Sequence, residues 1–462
     1  MDVARAHAPA PAAAGEAALR ALRGSLRGDL LVPGDPGYDE ARRVHNALVD
    51  RRPALIVRCA AAGDVRAAVL FARERGWHPA VRGGGHSVAG HSVCDGGMVI
   101  DLSPMRGVRV DPAARLARAE GGVTWGELDR QTQAFGLATP GGIVSTTGVA
   151  GLTLGGGVGW LVRRHGLACD NLVAAEVVTA GGEILRASAD EHPELFWALR
   201  GGGGNFGVVT AFTFRLHPVG TVLGGMVLYP RGRAREVLRF YRDFAPGAPD
   251  ALTTSAGLLT SPEGVPLVAL VACWAGPLAE GEAALRPLRT FAPPLADGIG
   301  PLPFARMQRL MDEAFPPGRR NYWKSDFLRE LPDAAVDAVV EHAARAPSPH
   351  TAVLLESYTG AAARVAHDAT AYPHRGAPYN LHLFAAWTDP AGDAGNVRWA
   401  REAREALRPF STGGVYVNFL GDEGEARVRA AYGANHARLA RAKRAYDPLN
   451  LFRRNQNVRP EG

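Results

Sequence analysis

Three runs of glycine constrain this 462-residue chain more than anything else in it. They are Gly83-Gly84-Gly85, closed by His86; Gly155-Gly156-Gly157 with Gly159; and Gly201 to Gly204 with Gly207. One such cluster marks a turn. Three of them, each beside a strand-like stretch, point to one large ligand touched by main chain from several sides. Only a residue without a Cβ lets N–H groups come that close to a pyrophosphate or a ring edge. "GGGNFG" at 202–207 fits G-x-G-x-x-G, but the helical "PELFWALRG" precedes it and the strand "FGVVTAFTFRLHP" follows. That order is the reverse of the one that aims a helix N-terminus at phosphate, and no GK[ST] phosphate loop occurs. A dinucleotide bound here needs a fold other than the doubly wound one.

Composition narrows the remaining classes. With 47% hydrophobic and 21% charged residues the chain can bury a large core and is long enough for two domains. The formal charge is +6, but the arginines are scattered and lysine occurs only at Lys324 and Lys443, so no nucleic-acid-binding face is expected. Cys59, Cys94, Cys169 and Cys273 are far apart and form no CxxC pair, so neither disulfides nor a metal site is expected. The opening "MDVARAHAPAPAAAGEAALRALRG" has no signal-peptide core and reads as a loose tail entering a helix. No apolar run is long enough for a membrane span, so a cytoplasmic monomer or homodimer is the expectation.

Patterning supplies the elements. "ALIVR" at 54–58 reads as a strand and "AAGDVRAAVLFARERG" as a helix closed by Gly76. "VRVDPAARLARAEGG" reads as a hairpin turning at Asp111-Pro112, and "TWGELDRQTQAFG" as a helix with Thr124 and Glu127 at capping-box spacing. Glycine thins out beyond residue 220, where strands such as "VPLVALVACWAG", "TAVLLESYTG" and "YNLHLFAAWTD" interleave with helices, as in a sheet covered on one side. The expected organisation is a lead-in over 1–49, a ligand-binding domain over 50–219, a substrate domain over 220–410, and a segment over 411–462 completing the first domain. The last part contains "VYVNF", read as a strand, and "EARVRAAYGANHARLARAKRAY", read as one helix.

The motifs "VRGGGHS", "ATPGGIVSTTGVAGLTLGGGVGWLVRRHGLACDNL", "PELFWALRGGGGNFGVVTAFTFRLHP", "VYVNF" and "RLARAKRAYDPLNLFRRNQNV" occur in an order and spacing that resemble a known family. These are the FAD-linked oxidoreductases with the vanillyl-alcohol-oxidase or PCMH type of flavin domain, in the berberine-bridge-enzyme-like branch. The resemblance covers nearly the whole chain. It implies an α+β fold of two domains, a PCMH-type FAD domain and a second α+β domain whose antiparallel sheet is covered by helices.

It also implies site residues. The first glycine loop, with Arg82, Gly83, Gly84, Gly85, His86, Ser87, Gly90 and His91, would cradle FAD, and His86 would be joined covalently to the flavin 8α-methyl carbon. His91 is the rival attachment point. Pro140, Gly141, Val144, Thr146, Thr147, Gly148, Gly151, Leu154, Gly156, Gly157, Gly159 and Trp160 would follow the flavin along the second run. Asn205, Gly207, Val208 and Val209 would follow it along the third, with Asn418, Asn455 and Asn457 near the C-terminus. Many relatives carry a second tether, a cysteine, where this chain has Val144, so one covalent bond is expected. Thr147 stands where relatives that use oxygen often have valine.

Tyr416, in the Y-x-N motif, is the implied catalytic base. His382 is a second candidate, because relatives carry an acid or base on substrate-domain strands. Alternation sets Asn380, His382 and Phe384 on one face of their strand, although a lone histidine on an apolar strand is more often a core residue. Tyr358 and Trp323-Lys324 are weaker candidates for the pocket wall. The expected activity is oxidation of an alcohol, hemiacetal or amine of a small organic molecule by hydride transfer to flavin N5, with dioxygen as acceptor. A dehydrogenase with another acceptor and a protein that sequesters a metabolite are the alternatives.

Overall fold

The computed structural model describes residues 15–461, so the expected tail before Gly15 lies outside the described residues. Helix Glu16–Ser25 is the first element among the described residues and packs on helix Ala62–Glu74, burying Leu22. A small sheet follows, ordered Asp29–Leu31, Leu55–Arg58, Met98–Asp101 and Ala80–Arg82. Its last three strands are parallel, and Met98–Asp101 lies between the other two. That position explains the uninterrupted apolar run "MVI", since a central parallel strand is covered on both faces. Helix Ala62–Glu74 turns Val65, Ala68, Val69 and Ala72 onto this sheet, all fully buried. Each large side chain covered in this way is worth about 1.5–3 kcal/mol.

A second sheet of five antiparallel strands runs Val108–Asp111, Leu116–Glu120, Val208–Arg215, Leu172–Val178 and Ile184–Ser188. Helix Trp125–Gln133 starts beside it with the expected capping box, in which the Glu127 carboxylate accepts from the Thr124 N–H at 2.9 Å. From Thr221 to Trp387 the chain forms an eight-stranded sheet whose strand pairs are all antiparallel. Helices Ala234–Phe244, Leu278–Thr290, Asp333–Ala344 and Asp393–Leu407 cover one face of it. On strand Tyr379–Trp387 the odd-numbered side chains pack under those helices, so Asn380, His382 and Phe384 look the other way, toward the smaller sheets.

Two local readings are corrected. "VYVNF" is a 3-10 turn at Val417–Phe419, because the Phe419 N–H goes to the Tyr416 carbonyl (3.0 Å) and not to a partner strand. The long C-terminal helix is two, Glu425–Tyr432 and His436–Tyr446, broken where Gly433 takes φ +49°. Beyond them the tail is pinned by Lys443, fully buried, whose Nζ donates to Asp447 (2.7 Å) and to the carbonyls of Asn205 and Phe452.

Candidate active site

The two small sheets, the large sheet and the C-terminal segment enclose a cavity of about 300 Å³. Much of its wall is bare main chain, from Gly83 to Gly85, Gly148, Gly151, Gly203, Gly204 and Gly207. Gly84 and Gly148 lie back to back, and a Cβ on Gly84 would fall 2.3 Å from the Gly148 nitrogen, so this seam admits only glycine. At Gly151 and Gly204 a Cβ would meet nothing within 4 Å, because the space there belongs to the cavity. Buried polar atoms wait beside this wall: His91 Nε2 and Asn455 Oδ1 belong to lining residues and have no partner in the protein. Open glycine backbone with unspent polar atoms fits a nucleotide cofactor.

His86 projects from the first glycine run. Its Nε2 lies 3.1 Å from Thr146 Oγ1 and its Nδ1 3.3 Å from Thr147 Oγ1, so a threonine hydroxyl stands at each ring nitrogen. The His45 ring stacks on it. Burial, reinforced by His45, pulls the His86 pKa down to about 3, and burial alone takes His45 to about 4, so both rings are neutral at ordinary pH. His91 is held neutral in the same way, at about 4.

Tyr416 lines the same cavity and is 2% exposed. Its phenol oxygen accepts from the Gly157 N–H (2.9 Å) and from Asn418 Nδ2 (2.8 Å), and Asn418 Nδ2 also donates to the Leu152 carbonyl. With both acceptor positions used, the phenolic proton can only be given to a third group. Burial raises the Tyr416 pKa, and these two donors work against it.

Of the residues singled out from the sequence, Gly83, Gly84, Gly85, His86, Ser87, His91, Val144, Thr147, Gly148, Gly151, Leu154, Gly203, Gly204, Gly207, Val208, Val209, Trp323, Phe384, Tyr416, Asn418 and Asn455 line the cavity. The others stand behind the wall. Thr146 reaches it through His86. Arg82 donates to the Ala41 carbonyl. Gly90 packs on Val49, and Gly141 on Trp125, where Gly159 closes against the Gly141 carbonyl. Gly156 and Gly157 bond through their carbonyls to the Cys169 and Ala168 N–H groups. Asn205 ties Gly202 to the C-terminal tail. Trp160 lies in a core beneath, with Ala138 and Leu161, and Pro140 and Asn457 are likewise off the cavity surface.

His382 does not line the cavity either. It is wholly buried, with Nε2 2.5 Å from Glu356 Oε2 and 3.3 Å from the Tyr358 hydroxyl, and Tyr358 also donates to Glu356. Phe384 and Phe419, against which its ring packs, are the cavity-lining groups. Sequence reasoning passed over His45, Phe315, Phe419 and Arg454, all of which line the cavity. Phe419 was legible as the last residue of "VYVNF", whereas His45 carries no local signal.

The glycine cradle and the aromatic residues lining the same cavity suit a flavin nucleotide, and comparison with known proteins places the chain among flavin-nucleotide oxidoreductases. A family model described as FAD binding domain matches residues 53–188, and one described as berberine and berberine like matches 415–459. The uncharacterized FAD-linked oxidoreductase YgaK of Bacillus subtilis (strain 168) is 35% identical over 445 residues, covering 94% of this chain and 97% of that one. (R)-6-hydroxynicotine oxidase of Paenarthrobacter nicotinovorans is 33% identical over 458 residues, covering 95% and 98%. The crystal structure of 6-hydroxy-D-nicotine oxidase from Arthrobacter nicotinovorans superposes with a TM-score of 0.88 at 31% identity, covering 95% of this chain and 99% of that one. The chain therefore belongs to the berberine-bridge-enzyme-like family of FAD-linked oxidoreductases. Among the described residues no helix is long and apolar enough to cross a membrane.

Proposed function

We propose that the protein is an oxidase of a small alcohol or amine, with FAD attached through His86 alone. The observation that carries this reading is a pair of groups lining one cavity, a neutral imidazole at the end of a bare glycine loop and a phenol with both acceptor positions filled. FAD, when bound, supplies a two-electron acceptor. Gly83 to Gly85, Gly148 and Gly204 would hold the nucleotide, and His86 would supply the nucleophilic nitrogen for its attachment. Val144 stands where a cysteine would make a second link.

Tyr416, as the phenolate left once its own proton has passed to solvent, would accept the hydroxyl or amine proton of the substrate as the hydride departs, with the Gly157 N–H and Asn418 Nδ2 supporting the negative charge its oxygen carries before the transfer. An exposed phenol titrates near 10, so this base works only through such donors. The similarity to 6-hydroxynicotine oxidase supports an amine among the substrates. Dioxygen as acceptor is favoured by Thr147, close to valine in shape, whose hydroxyl is engaged by His86. Reducing the protein anaerobically and mixing it with aerated buffer in a stopped-flow instrument tests the assignment. Reoxidation within seconds is expected of an oxidase, and a flavin that stays reduced for minutes identifies a dehydrogenase.

A further inference from the structure

We infer that the substrate end of the cavity selects an aromatic ring bearing the oxidisable group, and that it excludes sugars and other polyols. This deepens the oxidase reading and rests on it. Among the described residues the eight-stranded domain contributes three side chains to the cavity wall, Phe315, Trp323 and Phe384, all aromatic. They pack edge to face: Phe315 meets Phe384 with ring centres 5.4 Å apart and planes at 85°, and Trp323 meets Phe384 at 4.7 Å and 63°. Phe419 continues the wall, 5.6 Å from both Trp323 and Phe384, and stands 5.0 Å from Tyr416 at 89°. The rings therefore lead directly to the proposed base.

This wall has no spare hydrogen bond. The Trp323 indole N–H is already given to Asn321 Oδ1 at 3.3 Å. Behind Phe384 and Phe419, Glu356, Tyr358 and His382 Nε2 bond to one another, and His382 Nδ1, buried and without a partner, belongs to a residue outside the cavity wall. A sugar seated here would bury hydroxyls against ring faces, losing roughly tenfold in affinity or more for each unpaired one. A flat aromatic ring gains edge-to-face contacts, each worth roughly threefold to tenfold.

The test is calorimetric titration of the purified holoprotein with indole, cyclohexanol and glucose, with flavin content read separately from visible absorbance. Indole should bind at least about threefold more tightly than cyclohexanol, and glucose should give no binding heat. Phe315→Leu, in a loop, and Trp323→Leu should each weaken indole by about threefold to tenfold with flavin content unchanged. Glucose binding as tightly as indole, cyclohexanol matching indole, no indole binding, or substitutions that leave indole affinity unaltered each overturn the inference. A protein without flavin sinks the oxidase reading instead, and indole binding to it still reports on the wall.

Discussion

The imidazole of His45 lies on that of His86, ring centres 4.0 Å apart and planes 24° from parallel. The two come from different segments, joined where the His45 N–H donates to the Gly85 carbonyl at 3.0 Å. His45 ties down the glycine loop and covers one face of the proposed attachment residue.

We predict that flavin attachment hardly depends on pH between about 5 and 8. His86, held at about 3, is neutral across that range, whereas an imidazole titrating near 6.5 would be only about 3% neutral at pH 5. His45→Ala admits water to the ring, so attachment in this variant should slow as the pH drops toward 5. Reconstituting apoprotein with FAD and following acid-precipitable flavin over time measures both profiles. A wild-type rate that falls about thirtyfold from pH 8 to pH 5 contradicts the burial argument.

Tyr416→Phe should lower the rate of substrate-driven flavin reduction by about 10²–10⁴-fold, the usual scale for a lost general base, with flavin content unchanged. Asn418→Ala should have a smaller effect, because the Gly157 N–H still supports the phenol oxygen. Anaerobic stopped-flow reduction compares them. A Tyr416→Phe variant that reduces at the wild-type rate removes Tyr416 from the chemistry.

Asp129 is 2% exposed, and its carboxylate accepts from Gln308 Nε2 at 3.0 Å, across the contact between helix Trp125–Gln133 and the residues after Phe304–Met307. Burial raises its pKa to about 7. The folded chain thus keeps a proton that the unfolded chain, titrating near 3.9, has lost. Stability should therefore fall as the pH rises from about 4 through 7, by on the order of 4 kcal/mol at most. Asp129→Asn, neutral at every pH, should be more heat-stable than wild type at pH 8 and no more stable at pH 4. Equal melting temperatures of the two proteins at pH 8 would show that this carboxylate is not penalised.

Breaking the fully buried Lys443–Asp447 pair leaves a charge without its partner, which costs about 3–5 kcal/mol. Lys443→Met should lower the melting temperature and loosen the tail carrying Asn455 and Gln456, both cavity-lining. Denaturant titration together with protease sensitivity beyond residue 447 checks this, and an unchanged midpoint would contradict it.

The sequence announced what is local. The glycine runs, the capping box of Thr124 and Glu127, and the face of strand Tyr379–Trp387 that carries Phe384 were all readable, because each depends on spacing within one segment. It misled where tertiary partners decide. "VYVNF" alternates like a strand, yet turn hydrogen bonds and the anchoring of Tyr416 and Asn418 to Gly157 and Leu152 curl it. Several glycines of the second run look like ligand contacts and instead permit close packing, Gly159 against the Gly141 carbonyl and Gly155 against Asn418. His45 could not be foreseen, since nothing in "RRVHNALVD" indicates that the segment folds across His86.

The central claim is that one imidazole, His86, carries the flavin. Acid precipitation of purified wild-type protein and of His86→Ala tests it most directly. Yellow retained in the wild-type pellet and released to the supernatant by the variant is the predicted result. Colour that stays in the His86→Ala pellet, or that leaves the wild-type pellet, contradicts it.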